Sequence, residues 1–267
     1  MSHARTPTPP RHRRGPQRPA HGHAAGAWIW GRHAVEAALA NPRRTCIRLL
    51  ATPPALERLG ERARRPELAV EAATAQAIER QVGADEVHQG LALEVGPLAP
   101  LPLDEAAARP GRALLLALDQ ISDPRNVGAI LRSAAAFAVD AVIVPERRSA
   151  ELGGAAARAA AGGLDMVPLV EVTNLAQALA TLKRQGFWIV GLDGAGDRTL
   201  AGLPSFERVA VVLGSEGAGL RRLVAESCDA LVRIEIAPGI DSLNVAVAAG
   251  IALHSLSARL AAGLPAA

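Results

Sequence analysis

Apolar residues along this chain fall into two patterns, short solid runs and stripes spaced three and four apart. The runs "ALLLALD", "AVIV", "MVPLVEV", "FWIVGLD", "VAVVLG" and "LVRIEI" predict strands buried on both faces. Between and after them, helical spacing predicts helices over 126–138 and 174–186, a small-residue segment over 149–163, and a final helix from about Ser242. Strands alternating with helices in this way predict an α/β fold built on a parallel sheet. Nearer the N-terminus the elements are shorter. A helix is expected around His33–Ala40, then the strand "CIRLLAT", the helix "PPALERLGERA" opening on proline, and the short strand "ELAVEAA". The helix "TAQAIERQVG", with Thr74 as its cap, and the strand "QGLALEV" complete that group. The pattern therefore predicts a compact α/β domain over 27–96, a proline-bearing linker over 97–112 and a larger sheet domain over 113–267.

Composition narrows the class. With 267 residues, 49% of them hydrophobic, the chain can fill two ordinary cores, and no apolar run reaches the length of a membrane span. The two cysteines, Cys46 and Cys228, lie far apart with no metal-binding spacing, which fits a reducing cytoplasm and no structural metal. The net charge of +3 is unevenly spread, because residues 1–26 hold five arginines (Arg5, Arg11, Arg13, Arg14, Arg18) and no acid. This Pro/His/Arg stretch has too little apolar content to fold, and is expected to be a disordered basic tail with weak affinity for RNA phosphates.

Three stretches carry candidate chemistry. In "DPRNVGAILRSA" the residues Val127, Ile130, Leu131, Ala134, Phe137 and Ala138 form the sheet-facing stripe, so Arg132 projects the other way. Asn126 occupies a capping position after the Asp123-Pro124 turn. In "VVLGSEGAGL" a glycine-rich turn follows a strand at the carboxyl end of the sheet, where α/β ligands bind, and Glu216 stands among the glycines without a packing purpose. In "IEIAPGIDSLNVAVAAGIALHSL" a strand gives way to a helix beginning near Ser242, Leu243 and Asn244. Taken singly, each has a bland reading as a capped helix or a tight turn. Neither this glycine turn nor "GLDGAG" has dinucleotide-loop spacing, which disfavours a nicotinamide oxidoreductase.

Together the three stretches resemble the motifs of the SPOUT-class RNA 2′-O-methyltransferases, specifically the SpoU (TrmH-type) family, in the same order. More weakly, "GRHAVEAAL" and "VHQGLALEV" resemble the L30e-like RNA-binding domain of its two-domain ribosomal members. The resemblance implies a trefoil knot in the sheet domain, S-adenosyl-L-methionine as cofactor, an obligate homodimer, and a guanosine of 23S rRNA as target. Transfer RNA is the alternative substrate, and a noncatalytic RNA-binding protein the alternative class. On this resemblance Gly214, Ile234 and Leu243 match cofactor-binding positions, and Asn126, Arg132, Glu216, Ser242 and Asn244 match polar catalytic positions. The sequence has "IAPGID" where many relatives carry a Pro-Met pair.

The chemistry is consistent with those residue types. A ribose hydroxyl is a poor nucleophile until its proton is polarised or removed, and methyl transfer rewards positioning. Arginine holds its proton far above neutral pH, so a neutral Arg132 serving as base is costly unless its site strongly favours that form. Stabilising a developing alkoxide or gripping a phosphate is the better role for it. Glu216 is expected to orient Arg132 or Asn244.

Overall fold

The computed structural model describes residues 26–147 and 152–262; the tail over 1–25 and the start of the small-residue segment lie outside them. The first unit is a four-stranded sheet in the order β1-β4-β2-β3. Its elements are β1 (Ala27–Trp30), α1 (Arg32–Ala40), β2 (Cys46–Ala51), α2 (Pro53–Leu59), β3 (Ala69–Ala72), α3 (Ala75–Val82) and β4 (Leu91–Val95). β4 is antiparallel to both β1 and β2, while β3 joins β2 in parallel. Thr74 caps α3 as expected, its side chain accepting from the Ala77 amide. The strand β1, "AWIW", was hidden in sequence by two tryptophans running straight into a helix.

The proline-bearing stretch that follows is built rather than bare. It carries α4 (Leu103–Ala107), with Ala106 and Ala107 buried, and the Leu101 amide donates to the Leu169 carbonyl at 2.6 Å.

The second unit is a seven-stranded, wholly parallel sheet in the order β7-β6-β5-β10-β8-β11-β9. In chain order it comprises β5 (Ala113–Asp119), α5 (Pro124–Ala136), β6 (Ala141–Pro145), α6 (Gly154–Ala160), α7 (Gly163–Met166) and β7 (Leu169–Val172). There follow α8 (Leu175–Arg184), β8 (Trp188–Leu192), β9 (Arg198–Thr199), β10 (Arg208–Gly214), α9 (Arg222–Glu226), β11 (Ala230–Arg233) and α10 (Val245–Ala262). Every residue of β5 is buried, as a central strand covered on both faces requires. Leu116, Val211 and Leu253 belong to one face of the core, and Leu115, Val212 and Leu179 to the other.

Register matters more than strand count here. β5 and β10 are central neighbours with Asp119 opposite Gly214, while Leu213 lies opposite Leu192 of β8, and Leu192 opposite Val232 of β11. The four segments leaving these strands therefore emerge side by side at one carboxyl edge, where α/β sheets bind ligands. Among the described residues no helix is long and apolar enough to cross a membrane.

Candidate active site

The turn after β5 was expected to be capped by Asn126. The cap is Asp123, whose carboxylate accepts from the Arg125 amide at 2.9 Å, with Pro124 as the first helical residue. Proline suits that position because its missing N–H would have had no partner. The shift frees Asn126 from capping and points it at the neighbouring glycine turn. α5 also stops at Ala136; Ala138 is exposed with φ 52°, and Val139 takes the buried place expected of it.

The glycine turn after β10 closes on itself, with the Ser215 amide donating to the Gly219 carbonyl and the Gly219 amide to the Ser215 carbonyl, at 3.1 and 2.9 Å. Gly217 and Gly219 adopt φ of 80° and 65°, and a Cβ at Gly214 would collide with the Gly219 backbone. At the tip, Glu216 Oε1 accepts from Asn126 Nδ2 (3.2 Å), Asn244 Nδ2 (2.8 Å) and the Val245 amide (3.3 Å). Asn244 Nδ2 also donates to Asn126 Oδ1 at 3.0 Å. Residues far apart in sequence thus form one closed polar triad, with a carboxylate strengthening each bond it accepts.

Asn244 serves a second purpose. Its Oδ1 accepts from the Ala246 and Val247 amides at 2.9 and 3.4 Å, so it caps α10, which begins at Val245 rather than near Ser242. Both amide hydrogens and the oxygen of Asn244 are consequently engaged, which makes it a positioning group. One N–H of Asn126 and Oε2 of Glu216 are left to meet a substrate.

Gly214, Glu216, Ile234, Ser242, Leu243 and Asn244 all line one cavity of about 640 Å³, within the usual size range of small-molecule sites. Asp193 and Asp241, which sequence reading missed, line it too. Asp193 directly follows β8, a position that register with β10 would have flagged. Arg132 does not join this group. It is exposed, forms no hydrogen bond or ion pair with the described residues, and Glu216 orients the two asparagines in its place. A further residue pair escaped notice. Asp119, 1% exposed, accepts from the Arg221 amide and Nε at 2.9 and 2.6 Å, clamping the end of the glycine turn to the end of β5.

Comparison with known proteins gives the geometry a family context. Residues 113–254 match the model of the SpoU rRNA Methylase family, and residues 28–101 match that of RNA 2′-O ribose methyltransferase substrate binding. A 23S rRNA (guanosine-2′-O-)-methyltransferase of Xanthomonas campestris is 40% identical over 234 residues, 85% of this chain and 94% of that one. An uncharacterized tRNA/rRNA methyltransferase of Mycobacterium avium is 46% identical over 183 residues, but the match spans only 59% of its length. Among solved structures, a TrmH-family protein from Porphyromonas gingivalis superposes with a TM-score of 0.72 at 27% identity, covering 88% of this chain and 90% of that one. The SpoU methyltransferase AviRb of Streptomyces viridochromogenes, in complex with AdoMet, shares the fold with a TM-score of 0.75 at 23% identity, over 88% and 91% of the two chains.

Proposed function

The chain belongs to the SpoU rRNA methylase family, and we propose that it is an S-adenosylmethionine-dependent methyltransferase acting on the 2′-hydroxyl of a guanosine in 23S rRNA. The Asn126–Glu216–Asn244 triad, two of whose members line the cavity, carries this reading. S-adenosylmethionine, when bound, supplies an electrophilic methyl group on a cationic sulfur. The cavity suits such a molecule. The close-packed 214–219 backbone and the apolar Leu213, Val232, Ile234 and Leu243 make a slot for a flat base, while the carboxylates of Asp193, Glu216 and Asp241 suit its positive charges. A ribose brought to the triad meets a donor on Asn126 and an acceptor on Glu216, so its hydroxyl is oriented before reaction.

Arg132 enters this scheme from a second copy of the chain. Its exposure without a partner among the described residues supports a homodimer, as do Val247 and Ile251 of α10, 53% and 41% exposed. α10 packs on α5, where a Cβ at Gly250 would lie 3.7 Å from the Ser133 hydroxyl. Placed beside a ribose, the guanidinium stabilises the developing alkoxide as a fixed positive charge. Residues 27–96 and the arginine-rich tail supply RNA affinity, the C-terminal segment of the sheet domain threads a trefoil knot, and the enzyme works in the cytoplasm.

Single-turnover transfer from labelled S-adenosylmethionine to 23S rRNA, with the methylated ribose mapped, tests the proposal. Arg132→Ala should keep cofactor affinity yet slow transfer by orders of magnitude. Mixing it with an Asn244→Ala chain should restore activity in exchanged heterodimers. Methylation of transfer RNA alone would redirect the substrate, and near-normal transfer by Arg132→Ala would remove that residue from the chemistry.

A further inference from the structure

A buried ion pair outside the cavity joins the two units. Arg44, between α1 and β2, meets Asp165 of α7 through two parallel bonds, Nε to Oδ1 at 2.7 Å and Nη2 to Oδ2 at 3.0 Å. The side chains are 5% and 2% exposed. Each remaining polar atom that matters is engaged. Arg44 Nη1 donates to the Gly96 carbonyl at 3.0 Å, and Asn41 Nδ2 donates to Asp165 Oδ1 at 3.1 Å. Arg65 braces the same loop from behind, donating to the carbonyls of Ala38, Leu39, Asn41 and Arg44 at 3.0–3.1 Å. A charge pair removed from water persists only with such complete pairing, and loss of one partner leaves the other buried and uncompensated.

Around this pair, α6 and α7 form a thin layer between the first unit and α5. A side chain at Gly154 would run into the Trp30 ring and lie 2.8 Å from the Trp28 carbonyl oxygen; one at Gly162 would lie 2.9 Å from Ala37 Cβ. On the other side, a Cβ at Gly128 of α5 would lie 2.5 Å from the Ala156 carbonyl oxygen, and one at Gly163 would lie 3.0 Å from the Arg132 Cα. The small residues of this segment thus serve close approach on both sides. Ile29 and Leu93 of the first unit, Ala157, Ala160 and Leu164 of the layer, and Ile130 and Leu131 of α5 belong to one continuous buried cluster. Close-packed interiors pass displacement on instead of absorbing it.

We propose that Arg44 and Asp165 are positioning residues for methyl transfer: their ion pair fixes the first unit on the α6–α7 layer, and hence RNA bound there in one register relative to α5 and its Asn126. This rests on the functional reading above. Its physical sense is economy of fit, since a displacement of about 1 Å at a reacting centre can cost about 10²-fold in rate. The pair therefore acts through placement and touches neither substrate nor cofactor.

The test uses Asp165→Asn in the full chain, read by hydrogen exchange and by single-turnover transfer. Amides over 41–44 and 163–166 should exchange faster, while the centres of β2, β4, β5 and β10 keep wild-type protection. At saturating RNA and cofactor, transfer should fall about tenfold or more with both dissociation constants within about twofold, because loosened register raises the barrier without removing binding contacts. If Asp165→Asn does not fold, Arg44→Lys keeps the charge but loses the fork, and the same pattern is expected in milder form. Unchanged exchange in both segments overturns the docking role. Loosened exchange with unchanged transfer overturns the register role. A wild-type chain that transfers no methyl group overturns the functional reading beneath it, and the exchange result alone then decides whether the pair docks the units.

Discussion

The two glycine-rich turns at the carboxyl edge of the second sheet are close in composition and opposite in construction. "GLDGAG" begins in the last two residues of β8 and docks on another strand, with Asp193 lining the cavity. The Asp193 amide donates to the Val232 carbonyl at 2.9 Å, Arg233 Nη1 donates to the Gly196 carbonyl at 2.8 Å, and a Cβ at Gly196 would lie 2.8 Å from the Leu231 carbonyl oxygen. Its glycines let β11 pass close by. "GSEGAG" follows β10 and folds back on itself through the paired bonds of Ser215 and Gly219. Its glycines make a turn tight enough to hold one carboxylate at the tip. Glycine content alone thus says that backbone comes close, and only the register of the strands says whose backbone it is.

Substitutions at equivalent-looking positions should separate the two turns, beginning with the most damaging. Gly214→Ala puts a methyl group into the turn's own backbone, 2.5 Å from the Leu220 nitrogen, where nothing flexible can yield. Calorimetry should find no cofactor binding, and the melting temperature should fall with an overpacking cost of about 1–3 kcal/mol or more. Wild-type affinity would mean that the turn opens without cost.

Glu216→Gln comes next. It keeps the shape but removes the charge that three donors share, so single-turnover transfer should drop about 10²-fold while cofactor affinity changes less than about tenfold. Transfer within a factor of about three of wild type would show that the carboxylate does not organise the two asparagines. In the docked turn, Gly196→Ala should act mainly on stability, by about 1–3 kcal/mol in denaturant titration, because its methyl group meets the Leu231 and Val232 backbone rather than the triad. A stable variant lacking activity would show that Gly196, and with it the whole turn beyond Asp193, also serves the site. Gly194→Ala, with nothing within 4 Å of the added atom, should lie within about 0.5 kcal/mol of wild type in denaturant titration.

The contrast also marks what could be read from the chain and what could not. Solid apolar runs such as "ALLLALD" announced the parallel sheet because a doubly covered strand has no polar face to disguise it. The site residues Asn126, Glu216 and Asn244 were legible as polar groups in motifs, and their mutual bonding depended on Asp119 pairing opposite Gly214, which no local pattern encodes. Asn126 was mistaken for a cap because asparagine and aspartate compete for that position, and the proline at 124 decides in favour of Asp123. The strand at "LVRIEI" proved shorter than its apolar pattern, ending at Arg233, since beyond that point the chain leaves the sheet to line the cavity with Ile234 and Ile236. Arg44 and Asp165 gave no signal at all. A buried ion pair looks in sequence like two surface charges until its partners are known.

The pairing of β5 with β10 has a kinetic consequence. It sets Ala113 opposite Arg208, so the two strands at the centre of the sheet come from segments separated along the chain by the four strands β6, β7, β8 and β9 and the four helices α5, α6, α7 and α8. Non-local parallel pairing pays its loop-closure entropy before contacts reward it, which places such chains towards the slow end of folding, roughly milliseconds to seconds. Until β10 slots in beside β5, the glycine turn has no neighbour to face, and "ALLLALD" and "VAVVLG" present unpaired edges to any other nascent chain. The reactive edge is therefore among the last parts of the molecule to exist, and the delay before it forms is also the interval in which aggregation competes with folding.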